Sequence, residues 1–236
     1  MVRGIESFRE WFSGYEENYV VIGGTACDLL MGEAGEAFRA TRDIDMVLIV
    51  ENLNADFGIR FWEYVKAAGY EQRQRNTGTT EYFRFLKPQS AEYPFMIELL
   101  SRRIDSIVLP PDAVLTPIPI NDEISSLSAI LLNDDYYDFL RTGVTLLEGI
   151  PVLGVTHLIP FKAKAWLDLT ERKAQGHPVQ SGDIRKHKND VLRLSMLLSA
   201  NLVVTLPDGL VTDMHKFLAD VEESEKYSRV ATAYGL

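Results

Sequence analysis

The chain is poor in cysteine, in long apolar runs and in positive charge. A single cysteine, Cys27, among 236 residues excludes an internal disulfide framework and leaves no Cys-rich zinc site. No apolar run approaches the length of a membrane span, so no membrane association is expected. Met1-Val2-Arg3-Gly4-Ile5-Glu6 lacks the apolar core of a signal peptide, which predicts a cytoplasmic protein. Lys and Arg number 24 against 34 Asp and Glu, a formal net charge of -10. That deficit argues against broad, nonspecific nucleic-acid binding, which depends on neutralising phosphates, while leaving room for a local basic cleft. What the chain does have is a hydrophobic fraction of 46%, enough for a sizeable core. Its length allows one large domain or two small ones, and no internal repeat or low-complexity tract is present.

The most informative stretch is Thr41-Arg42-Asp43-Ile44-Asp45-Met46-Val47-Leu48-Ile49-Val50. Met46 to Val50 is short and β-branched, and predicts a strand with two acids at its mouth. Alternation along a strand puts Asp43 and Asp45 on one face and Ile44 on the other. Two anions held that close repel, and a divalent cation between them resolves the repulsion; hard oxygen donors suit magnesium or manganese. The bland alternative is a pair of solvated acids at a strand end. Upstream, the apolar run Tyr19 to Ile22 leads into Gly23-Gly24-Thr25 and then a helical pattern to about Met31. Glycines allow positive φ and close backbone approach, and a helix N-terminus favours an anion such as a triphosphate. Thr25 offers a hydroxyl donor or a cap. Alone, Gly-Gly is an ordinary tight turn; the order strand, Gly-Gly-Thr, helix, Asp-x-Asp strand is far more specific.

The remaining pattern is compatible with an α+β chain. Ile5 to Glu17 reads as an amphipathic helix, and Asp56 to Ala68 as another ending at Gly69. Thr80 to Lys87 and Pro94 to Ser101 read as paired strands, the first with Tyr82 and Arg84 on one face and Phe83 and Phe85 on the other. Glu98 lies inside the second apolar run, sharing its face with Met96 and Leu100. A carboxylate there must be paired, metal-bound or protonated. Asp105 is a weaker competitor in a polar turn. Residues 107–155 read as a Pro-punctuated connection with a hairpin about Glu148-Gly149 and an edge-strand Pro151. Thr156 is placed to cap a helix from about His157 to Lys173, and two further helices start near Ser181 and Asp208, followed by a tail from Ser224. At about 100° per residue Lys162 falls at the centre of that helix's apolar stripe and Lys164 nearly opposite. Lys162 therefore points inward and needs an anion: nucleotide phosphates, Glu98, or Asp190 on the next helix.

The Gly23-Gly24 turn, the Asp43-Ile44-Asp45 pair and a third acid on a later strand resemble the nucleotidyltransferases of the DNA polymerase β type. Arg39-Ala40-Thr41-Arg42-Asp43-Ile44-Asp45 is similar to the branch that contains the toxin of the abortive-infection E system. The resemblance implies a nucleotidyltransferase-like mixed sheet with flanking helices in 1–155, then a mainly helical part in 156–236. It further implies a metal-dependent transfer of a nucleoside monophosphate from an NTP to an acceptor hydroxyl. Gly23, Gly24, Thr25 and Lys162 would hold the triphosphate. Asp43, Asp45 and Glu98 would take Mg2+ or Mn2+, with Asp190 orienting Lys162 or the acceptor. His187 stands where the branch usually has an acid. The acceptor is left open among protein, RNA and small molecule, and an antitoxin protein is the partner that the branch implies. Two rivals stand beside this: a catalytically silent nucleotide- or partner-binding module of the same fold, and an antibiotic-modifying nucleotidyltransferase.

Overall fold

The structure, a computed structural model, describes residues 2–71, 82–101, 130–131, 133–221 and 224–236. Asp105, the start of the Thr80 strand and Pro110 to Pro119 lie outside the described residues. The described residues fall into two compact units, one within Met1–Pro119 and Val144–Leu153, the other within Ile120–Gly143 and Gly154–Leu236.

The first unit is built on a six-stranded mixed sheet. Its strands are β1 (Tyr19–Ile22), β2 (Asp43–Leu48), β3 (Tyr82–Leu86), β4 (Met96–Leu100), β5 (Val144–Leu147) and β6 (Ile150–Leu153). They lie in the order β3-β4-β2-β1-β6-β5. β2 pairs antiparallel with β1 and parallel with β4, and β1 pairs parallel with β6. Residues opposite one another in a sheet share a face. Tyr19, Ile44, Met46, Ile97, Leu99 and Phe85 therefore make one face, and all are buried.

Helices α1 (Ile5–Trp11) and α3 (Ala55–Ala68) supply the apolar layer on that face. Phe8 meets Tyr19 edge-on at 5.6 Å, Phe12 sits 5.2 Å from Tyr64, and Phe61 meets Phe85 at 5.4 Å. α3 ends at Gly69 as its sequence predicts, in the left-handed region, and starts one residue earlier than Asp56, where Asn54 accepts from the Phe57 N–H at 2.8 Å. α1 stops at Trp11, well short of Glu17. The chain turns at Gly14, whose φ of 89° a helix cannot use.

β6 is an inner strand, so the expected edge position of Pro151 is corrected. β5 is the outer strand, with Val144 and Leu146 exposed. β6 meets β1 only at Val21 opposite Val152, so the proline interrupts little of a ladder. The tip of the hairpin has Glu148 and Gly149 both at positive φ, the twist-matched two-residue turn.

The second unit is helical: α4 (Asp134–Thr142), α5 (Val155–Ala174), α6 (Ser181–Ser195), α7 (Asp208–Asp220) and α8 (Ser228–Tyr234). α5 packs on α6 and on α7. α4 lies where a connection was expected. Asn133 caps it, accepting from the Tyr136 N–H at 3.3 Å, and Tyr136, Tyr137 and Leu140 bury its inner side. Thr156 does not cap α5: the N-cap is Gly154, and the Thr156 hydroxyl meets His157 Nδ1 at 3.0 Å. His157 stacks on Phe139, and a side chain on Gly143 would overlap the imidazole. The tail docks, with Tyr227 and Val230 fully buried and the Tyr234 hydroxyl donating to the Thr156 carbonyl at 2.6 Å. Among the described residues no helix is long and apolar enough to cross a membrane.

Candidate active site

The face of the sheet opposite the aromatic layer carries Asp43, Asp45, Glu98 and Arg84. Ile22 lies opposite Asp45, Asp45 beside Glu98, and Glu98 opposite Arg84. One row thus crosses four strands, running apolar, acid, acid, base. Asp43 stands two positions from Asp45 on the same face, with the buried Ile44 turned away from both. Both acids lie within the strand: β4 pairs with it from Asp43 on, and β1 from Asp45 on.

Helix α2 (Gly23–Glu33) starts in the glycines themselves, two residues earlier than expected. Gly23 has a φ of 69°, and a Cβ there would stand 2.8 Å from Asp45 Cγ and closer still to Oδ2. Only glycine meets both the dihedral and the contact. Asp45 is thereby packed against the first residue of a helix. A Cβ on Gly24 would stand 3.0 Å from Thr41 Oγ1 and 3.3 Å from Arg39 Nη2. The loop before β2 therefore brings a hydroxyl and a guanidinium to the same turn. The Thr25 hydroxyl, fully buried, donates to the Asp43 carbonyl at 2.5 Å. Its observed work is to tie the first turn of α2 to the acid strand.

Glu98 is 8% exposed and paired. Arg84 Nε donates to its Oε1 at 2.6 Å, and Arg84 Nη2 meets the same oxygen. Two charge-assisted bonds to one oxygen are a strong restraint in a partly buried place. Asp43 and Asp45 are hard-oxygen donors of the kind a divalent cation takes, so the pair fits such an ion in kind. Among the described residues, however, no three His, Cys, Asp or Glu side chains are gathered as a metal site. The carboxylate that the row puts next to Asp45 is turned to Arg84.

Lys162 and Asp190 belong to the second unit. Lys162 Nζ donates to Asp190 Oδ2 at 2.9 Å, with both residues buried, at 4% and 1% exposure. Of the three anions that Lys162 was expected to seek, the acid on the next helix stands beside it. His187, also on α6, is buried. Lys164, on the other side of α5, is not left to solvent. It sits 3.3 Å from Asp168 and 3.3 Å from Asp213 of α7, and the Tyr136 hydroxyl donates to Asp213 at 3.2 Å. Burial pulls the Lys164 ammonium down, but Asp168 and Asp213 together outweigh it and hold its pKa above the ordinary value.

The partnerships of Arg84, and of Arg39 and Thr41 with Gly24, were not anticipated. Alternation had put Arg84 on one strand face with Tyr82, but its partner depends on the pairing of β3 with β4, which no local pattern reveals.

No protein-family model and no curated protein matches the chain. Among solved structures, the solution structure of the antibiotic-resistance factor ANT(2'')-Ia is similar at a TM-score of 0.40 and 11% identity, covering 96% of each chain.

Proposed function

We propose that the chain is a metal-dependent nucleotidyltransferase that moves a nucleoside monophosphate from an NTP to an acceptor hydroxyl. The observation that carries this is the packing of Asp45 against Gly23, which makes the glycine turn and the acid strand one place. A triphosphate on the N–H groups opening α2 would lie beside the two carboxylates. Asp43 and Asp45 would hold Mg2+ or Mn2+, with Glu98 as the third acid. Such an ion offsets charge on the leaving pyrophosphate and acidifies an attacking hydroxyl. Gly23 and Gly24 let the backbone approach the phosphates, Thr25 keeps that turn fixed to β2, and Arg39 stands where it adds positive charge. Lys162 and Asp190 act as a pair within the second unit, where Asp190 orients the ammonium. The net charge of -10 favours a protein or small-molecule acceptor over RNA. A toxin role with an antitoxin protein as partner follows from the Arg39 to Asp45 motif, and antibiotic modification remains the rival use of the same chemistry.

Asp43→Asn and Asp45→Asn are expected to abolish magnesium-dependent binding of nucleotide while leaving the melting temperature near that of the parent. Calorimetric titration with nucleotide, with and without magnesium, checks this. Unchanged affinity in both variants would sink the site. Transfer of α-phosphate label to cellular protein, to RNA or to an aminoglycoside then identifies the acceptor, and transfer to none of them leaves the silent binding module.

A further inference from the structure

We infer that Arg84 is a positioning residue that competes with the cation for Glu98. The inference rests on the proposed metal site and adds a rule for how its third acid is used. Three observations meet in it. The parallel pairing of β2 and β4 sets Glu98 beside Asp45 on one face, so the backbone has brought the third acid to the pair. The Glu98 side chain instead goes to β3, where Nε and Nη2 of Arg84 both hold Oε1. No cluster of three acids results among the described residues.

Both partners are shielded from water, with side-chain exposures of 19% for Arg84 and 10% for Glu98. A paired charge in such a place is not surrendered freely, because the partner left behind is uncompensated. Arg84 therefore holds back a ligand that the fold has already delivered. A cation on Asp43 and Asp45 recruits Glu98 only by taking it from the guanidinium. The same pairing compensates the Glu98 charge on that sheet face.

Mn2+ binding followed by the electron paramagnetic resonance of the free ion tests this. Arg84→Met is expected to bind Mn2+ about 10-fold more tightly than the parent, the size of effect that neighbours of metal ligands exert. Arg84→Gln, which keeps a donor but no charge, should move the same way, and serves if the methionine variant fails to fold. Arg84→Lys should stay near the parent. The gain must depend on Glu98: it should vanish when Arg84→Met is made in a Glu98→Gln background. A folded Arg84→Met or Arg84→Gln with unchanged or weaker affinity overturns the inference, as does a gain that survives Glu98→Gln. Asp45→Asn is the control that separates the two proposals. If it leaves Mn2+ affinity intact, the metal site itself is wrong, whereas failure of the Arg84 series alone leaves that site standing.

Discussion

At the scale of single residues, two positions carry more than their side chains suggest. Gly23 combines a left-handed dihedral with an Asp45 carboxylate against its Cα. Gly23→Ala should cost about 1–3 kcal/mol for the dihedral alone and push Asp45 aside. Gly24→Ala, which needs no positive φ and meets the Thr41 and Arg39 side chains at 3.0 Å or more, should cost far less. Urea unfolding of the two variants side by side checks the contrast. Lys162 is the second position. Its pair with Asp190 is buried, so Lys162→Met strands a carboxylate and should lower stability by about 3–5 kcal/mol. Lys162→Met/Asp190→Leu should recover most of that loss in the same assay. A single variant that melts like the parent would mean the pair contributes nothing to the fold. That an anion must meet Lys162 was legible from its place on a helical stripe. Which anion was not, because the choice depends on how α5 and α6 pack.

At the scale of elements, local signals succeeded where the chain decides its own conformation. β1, α3 between Asn54 and Gly69, and the Glu148-Gly149 hairpin are all written in nearby residues. They failed where a distant partner decides. β2 lies beside β4 at both aspartates and beside β1 at Asp45, neighbours that no local residue announces. α4 falls in a stretch whose prolines at 110–119 argue for a connection. Its own residues carry an Asn133 cap, acids in the first turn and Arg141 in the last. Lys164 faces away from the stripe of α5, yet α7 lies over it, so opposite the core was not the same as exposed. That ammonium clamps α5 to α7, and Lys164→Met should lose roughly 1.5–3 kcal/mol at neutral pH. The folded pKa is raised, so this contribution is complete below the ordinary value of 10.5 and fades as pH rises through the higher folded value. Denaturant midpoints of parent and variant should therefore converge at strongly alkaline pH and stay apart at pH 7.

At the scale of the molecule, a cut after residue 155 does not match how the chain is shared out. α4 belongs with the second unit: Tyr136 meets Phe161 edge-on at 5.3 Å and bonds Asp213. A fragment 1–155 keeps all six strands but carries α4 without its partners. It should bind a hydrophobic dye and self-associate where the full chain does not, as sedimentation would show. A compact, monomeric fragment would contradict the division. The sharing has a consequence in time as well. β6, which completes the sheet beside β1, is among the last pieces of the first unit to be synthesised. Until Leu153 clears the ribosome, Tyr19–Ile22, four residues buried in the finished protein, present an open strand edge. The nascent chain carries that edge until β6 is made, a burden of the kind that chaperones relieve.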